Sequence, residues 1–212
     1  MRAVILLFAA LGAILFVSCG GGGEEGGAPS PVATPTGEVA AGDLTPSGLI
    51  AQLPGLLLTA EDVPSGFALS QSVAAPNEAV AAGDPLPEQR LRELEEAGRV
   101  NGHQVIFESL QGLLSVVLAV HETTEGAQQS LDMGVRFGPD IEASSIDAPD
   151  VGLPAAAWEI EGQTGRALKG YLMLARKGRI NISVVYADAG GVGRDDAEGL
   201  LSAQIARLGD ME

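Results

Sequence analysis

The chain has 212 residues, with 12 basic against 28 acidic side chains, a net charge of −16 and a single cysteine. So acidic a balance excludes nucleic acid as a partner, because a phosphate backbone is held by clustered Lys and Arg. One cysteine excludes an intrachain disulfide, and the scattered acids, with no D-x-[DN]-x-[DN]-G loop among them, read as solubility rather than as a calcium site.

The N-terminus is Met1-Arg2, an almost wholly apolar run from Ala3 to Val17, then Ser18 and Cys19. A basic start, a greasy centre and a small residue before the break make an export signal. The run is too short for a spanning helix, which needs about 20 apolar residues, and it has no basic flank after it. Phe16-Val17-Ser18-Cys19 resembles the lipobox of bacterial lipoproteins, with Phe16 where Leu is usual. The resemblance implies cleavage ahead of Cys19, a diacylglyceryl thioether with palmitate-type chains on that sulfur, and a membrane-anchored protein facing the extracytoplasmic side. Removing residues 1–18 takes away Arg2 and no acid, and so moves the net charge from −16 to −17.

The expected organisation is a signal peptide over 1–18, a lipidated Cys19 and Gly/Pro-rich tether over 19–48, and one domain over 49–212. The tether sequence GGGGEEGGAPSPVATPTGEVAAGDLTPS carries no hydrophobic periodicity. A flexible chain of that length reaches roughly 30 Å. The remaining stretch of about 160 residues is enough for one core.

Within the domain, Leu56-Leu57-Leu58 leads into a capped turn at Thr59–Asp62, and Phe67 to Val73 reads as a strand. Ala74 to Asp84 is a loop by composition. Pro87 to Gly98 starts with Pro at the first helical position and stops at Gly, a short polar helix. Asn101–Ser109 and Leu113–Glu122 form a hairpin around Leu110-Gln111-Gly112, and its second arm, LLSVVLAV, is apolar on both faces, as a central strand is. Thr123-Thr124-Glu125 caps a helix to about Phe137, with Ala127, Leu131 and Val135 inward. A Pro- and Asp-rich loop follows, then strands at Ala155–Glu161, Arg166–Arg176 and Arg179–Ala187, with turns at Gly162–Gly165 and Lys177-Gly178. Asp195 to Leu208 closes the chain as a helix with Ala197, Leu200, Leu201, Ile205 and Leu208 in one stripe and acids in its first turn.

The order strand, helix, two strands, helix, three strands, helix predicts an α+β fold. Its sheet is mainly antiparallel with helices on both faces, an α/β/α sandwich. LLLTAEDVPSGFAL, VIFES, VVLAVHETTEGAQQSL, VGLPAAAW and RKGRINISVVY, in this order, are similar to segments of actinobacterial-type wall lipoproteins of unassigned activity. Those proteins, and the extracellular sensor domains of some membrane kinases, look like the PsbP-like sandwich. Phe67 stands where Trp is usual, and the cysteines of the kinase sensor domains are missing. The resemblance implies a fold and brings no functional residues with it.

Candidate chemistry is sparse. If the hairpin turns at Gln111, His103 faces Ala119, and His121 lies diagonally on the same face at a strand end; two histidines there would begin a metal site, but zinc asks for three or four ligands and no further one is spaced to join them. No G-x-S-x-G elbow occurs, and Ser115 lies in an apolar strand with no base in view. Glu159 and Glu161 alternate along a strand, which is more often a solvent face than an acid/base pair. Gly190-Gly191-Val192-Gly193 lacks the G-K-[ST] ending of a phosphate loop, and Asp195-Asp196 opposes an anion there. Arg176-Lys177-Gly178-Arg179 is a basic hairpin tip. Trp158, Tyr171 and Tyr186 are the candidate ligand-binding residues, Trp158 beside small alanines that leave room over the sheet. No metal, cofactor or catalytic residue is expected. The expectation is a lipid-anchored, non-enzymatic extracytoplasmic domain that binds an unknown protein or a small or lipidic ligand. A lipid or glycolipid carrier with an apolar cavity is the first alternative, and an enzyme the second.

Overall fold

The structure is a computed structural model that describes residues 45–162 and 168–209. The lipobox, Cys19, the tether up to residue 44 and the turn residues 163–165 lie outside the described residues. Seven strands form one sheet in the order β1-β2-β3-β7-β6-β5-β4: β1 (Ala68–Ala74), β2 (Arg99–Glu108), β3 (Gly112–His121), β4 (Ile141–Ile146), β5 (Ala155–Gly162), β6 (Leu168–Lys177) and β7 (Ile180–Asp188). Every neighbouring pair is antiparallel. Among the described residues five helices cover it: α1 (Pro46–Leu56), α2 (Asn77–Ala82), α3 (Pro87–Glu96), α4 (Thr124–Met133) and α5 (Arg194–Arg207). The α+β sandwich with helices on both faces is as the sequence predicts.

The two faces differ. Helices α1 and α5 lie over a dry layer in which Phe107, Leu114, Val116, Leu118, Met173, Ile182 and Val184 meet Leu53, Leu57 and Leu201. Each of these large side chains, fully removed from water, contributes about 2 kcal/mol. Gln204, buried on α5, ties the layer together: its Oε1 accepts from the Leu58 N–H at 3.1 Å and its Nε2 donates to the Leu56 carbonyl at 2.8 Å. Helices α2, α3 and α4 lie over the other face. There the sheet presents Gln104, Ser115, Ala119, His121, Asn181 and Ser183, polar or small side chains that leave space beneath the helices.

Several local expectations change. α1 begins at Pro46, inside the stretch read as tether, because Thr45 caps it by accepting from the Gly48 N–H at 3.2 Å. The Ala74–Asp84 loop contains α2. The Pro- and Asp-rich loop contains β4, an edge strand whose small polar residues are mostly exposed and therefore show no alternation. The β2–β3 hairpin turns between Leu110 and Gln111, with Ser109 Oγ accepting from the Gln111 and Gly112 N–H groups at 3.2 and 2.7 Å. His103 consequently pairs with Leu118, and Ala119 with Gly102.

Candidate functional site

The register of β2 changes between Arg99 and Asn101, a β-bulge that throws Val100 outward to 39 % exposure. Asn101 still pairs with Val120, whereas Arg99 pairs with His121. Successive residues of a strand alternate faces, so the bulge moves Arg99 from the α1/α5 side to the α2–α4 side, which is what such bulges do to a side chain. His103 stays on the α1/α5 side, half-buried, its Nε2 3.0 Å from Ser72 Oγ. The two histidines therefore occupy opposite faces, and the shared-face geometry expected from the sequence does not occur. Nor does His121 meet solvent: it is fully buried, and neither ring nitrogen makes a well-aligned hydrogen bond, although the Arg179 and Ala119 carbonyls face the ring. Burial, and then the Arg99 charge, lower its pKa to about 4, so the ring is neutral at pH 7. Among the described residues no group of three or more His, Cys, Asp and Glu is placed to hold a metal.

Arg99 is the central side chain on this face. It is 6 % exposed. Its Nη1 donates to Asn77 Oδ1 at 2.6 Å and its Nη2 to the Ala75 carbonyl at 2.8 Å, and Asn77 Nδ2 donates back to the Arg99 carbonyl at 2.8 Å. No carboxylate touches it among the described residues. Burial, reinforced by the nearby Arg90 charge, lowers its pKa to about 10, which leaves it a cation at neutral pH.

Around it lies a cleft of 130 Å³, floored by Gln104, Val117, Ala119, Leu174, Asn181 and Ser183, and walled by Leu94, Leu131 and Val135 with Asp84, Arg90, Arg99 and Arg136. Gly134, with φ 65°, ends α4 and turns the chain so that Val135 and Arg136 reach the cleft, a backbone conformation that glycine tolerates and other residues do not. Arg136 donates from Nε to Asp84 at 3.1 Å and from Nη1 and Nη2 to both Glu93 oxygens at 3.0 and 2.7 Å. Its hydrogen bond holds the Glu93 carboxyl down at about 2, and Glu93 in turn raises the Arg136 pKa. Arg90 makes a loose contact with Glu93, at 3.7 Å, and feels the Asp84 charge, but burial outweighs both and lowers its pKa. Arg136 thus occupies both acids, and three guanidiniums share two carboxylates.

Trp158 lies on the cleft side of the sheet, its ring edge-on to Phe137 at 6.2 Å and packed behind Gly134. Tyr171 and Tyr186 are cross-strand partners on the opposite face, and Tyr186 meets Phe67 edge-on at 5.7 Å. The structure therefore divides the three aromatic candidates between two faces. Glu159 is exposed and Glu161 pairs with Lys169 at 3.0 Å. Ser115 accepts from Gln104 Nε2 at 2.9 Å inside the sheet. In the basic hairpin, Arg176 donates to Gln128 at 2.8 Å and Lys177 to the Gly209 carbonyl. Gly190–Gly193 is a turn into α5. Arg90, Arg99, Arg136 and Asn181 were not apparent as site residues in the sequence; the one available signal was a charge and a glycine, Arg99 and Gly102, at the start of the β2–β3 hairpin.

No protein-family profile matches the chain, and no curated protein matches it. Among solved structures it is similar to the extracellular domain of PknH from Mycobacterium tuberculosis, at 8 % identity and a TM-score of 0.54, over 75 % of this chain and 95 % of that one. A putative uncharacterized protein from Mycobacterium smegmatis matches at 14 % identity and a TM-score of 0.44, over 79 % of this chain and 97 % of that one. At 8 % identity the PknH likeness is one of fold, and the sensor-domain resemblance read from the sequence extends to it.

Proposed function

We propose that the chain is an extracytoplasmic binding domain, held at a membrane by lipid on Cys19, that receives a ligand in the arginine-lined cleft without turning it over. The carrying observation is Arg99, a buried cation with no carboxylate partner among the described residues, set in the wall of an open cleft. An uncompensated buried charge costs several kcal/mol, and a binding site is where a fold tolerates that cost. The titratable groups lining the cleft are one aspartate and three arginines. Guanidiniums suit binding and orienting an anion rather than proton transfer.

Likeness of fold to an extracellular domain supports the location, and the same reading takes the sandwich as PsbP-like and the chain as kin to the wall lipoproteins its sequence resembles. Cleft size favours a small ligand over the lipid-carrier alternative, since 130 Å³ is far less than an acyl-chain pair needs. Trp158 supports the cleft wall behind Gly134, and Tyr171 and Tyr186 belong to the opposite layer.

Metabolic labelling with an alkyne fatty acid tests the anchor. The expected result is label on the wild-type protein in the membrane fraction, and neither label nor membrane retention for Cys19→Ala. A labelled Cys19→Ala protein, or an unlabelled wild type in the medium, contradicts it.

A further inference from the structure

Resting on that reading of the cleft, we propose that its ligand is a small organic acid, an anionic head held between Arg99 and Arg90 with a compact apolar body against Leu94, Leu131, Val117 and Leu174.

The head follows from charge. Asp84 and Glu93 are both engaged by Arg136, which grips them with short, well-directed bonds. Arg90 keeps one loose contact with Glu93 and the pull of Asp84, and Arg99 touches no acid among the described residues, so these three arginines and two acids leave the cleft one positive charge in excess inside a chain whose net charge is −16. A guanidinium carries five N–H donors in a fork that fits a carboxylate or phosphate. Arg99 makes two hydrogen bonds among the described residues, to Asn77 and Ala75, and these fix its plane while leaving donors free. Arg90 and Arg99 also repel one another, and an anion between them relieves both the repulsion and the missing solvation. This state is fixed by the fold, because the bulge delivers Arg99 to this face and Asn77 grips it from two sides.

The body follows from size and lining. The space of 130 Å³ is near the ~150 Å³ that admits a benzene ring, so a group of about six carbons fits. Leu94, Leu131, Val135, Val117 and Leu174 give it an apolar wall, beside the polar floor of Gln104, Asn181 and Ser183.

The test is titration calorimetry on the full chain purified from its host, with hexanoate, hexanol, hexylammonium and inorganic phosphate as probes. Hexanoate is expected to bind saturably, at least about tenfold more tightly than hexanol or phosphate, because a charge-assisted hydrogen bond to a buried partner is worth a factor of that order. Hexylammonium is expected to bind weakest. Arg99→Met and Arg90→Gln should each weaken hexanoate about fivefold or more and leave hexanol unchanged. Arg90 is half-buried on α3, so its variant keeps the test alive should Arg99→Met fail to fold. Hexanol equal to hexanoate, phosphate equal to hexanoate, or an unchanged hexanoate affinity in Arg90→Gln overturns the inference. Hexanol that binds as tightly as hexanoate and is lost on Ser183→Leu, a filled cleft floor, overturns the acid alone and spares the cleft as a binding site; no binding by any probe overturns both.

Discussion

Nη2 of Arg99 stands 2.6 Å from the point where a Cβ on Gly102 would lie, and the Leu118 carbonyl is 2.7 Å from the same point. Glycine at 102 is thus the space into which the buried guanidinium fits. Gly102→Ala should destabilise the fold by about 2 kcal/mol, because backbone as well as a clamped side chain must shift. It should also displace Arg99 and reduce acid binding at least as much as Arg90→Gln does. Urea melts and calorimetry on the same sample check both.

His121 gives the protein a sloping acid limb. Its folded pKa of about 4 lies below the unfolded value of 6.5. The unfolded chain therefore takes up a proton first as pH falls, so stability is full above 6.5 and declines as pH falls toward 4, by on the order of 2 kcal/mol. His121→Leu should flatten that limb. At pH 7 it should leave stability equal or higher, since an apolar side chain removes two unpaired buried nitrogens. Melting temperatures between pH 7 and 4 separate the two proteins.

Arg136 joins the α2–α3 link to the segment after α4 and so holds the cleft cover. Arg136→Ala should cost about 1–2 kcal/mol, more than an exposed ion pair, because two carboxylates lose one shared partner. Amides of residues 77–96 should exchange faster while those of β3 and β7 stay protected. For Glu93 the sign is the usual acidic one: the folded pKa of about 2 is below the ordinary 4.5, so the pair stabilises fully above 4.5 and its contribution disappears as pH falls toward 2. Hydrogen exchange by mass spectrometry reads the first effect and acid melts the second.

Trp158 and Tyr186 lie on opposite faces of the sheet, with Phe137 against one ring and Phe67 against the other. Trp158→Ala and Tyr186→Ala should each destabilise by about 2–3 kcal/mol and add to within about 0.5 kcal/mol in the double variant. A larger coupling in denaturant unfolding would mean that the two aromatics act as one unit.

The layers were legible where burial writes itself into composition. Leu113 to Val120 is apolar but for Ser115 and forms the interior strand β3; Thr123 caps α4, accepting from the Gly126 N–H at 2.9 Å; and the α5 stripe buries Ala197, Leu200, Leu201 and Leu208. α2 and β4 were illegible for the opposite reason: both are short, α2 is only partly buried and β4 is mostly exposed, so neither period appears in them. The site was hidden by register. A hairpin centred half a residue from Gln111 moves His103 onto Leu118, and one bulged residue, Val100, turns Arg99 to the other side. Neither step leaves a mark in hydrophobic pattern, since both depend on pairing across the sheet.

Native mass spectrometry of the wild-type protein and Ser183→Leu, both purified from the host, tests the central claim most directly. Wild type should carry a non-covalent mass that collisional activation removes, and Ser183→Leu, its cleft floor filled, should lack it. An identical adduct on both proteins, or none on either, would contradict a ligand in this cleft.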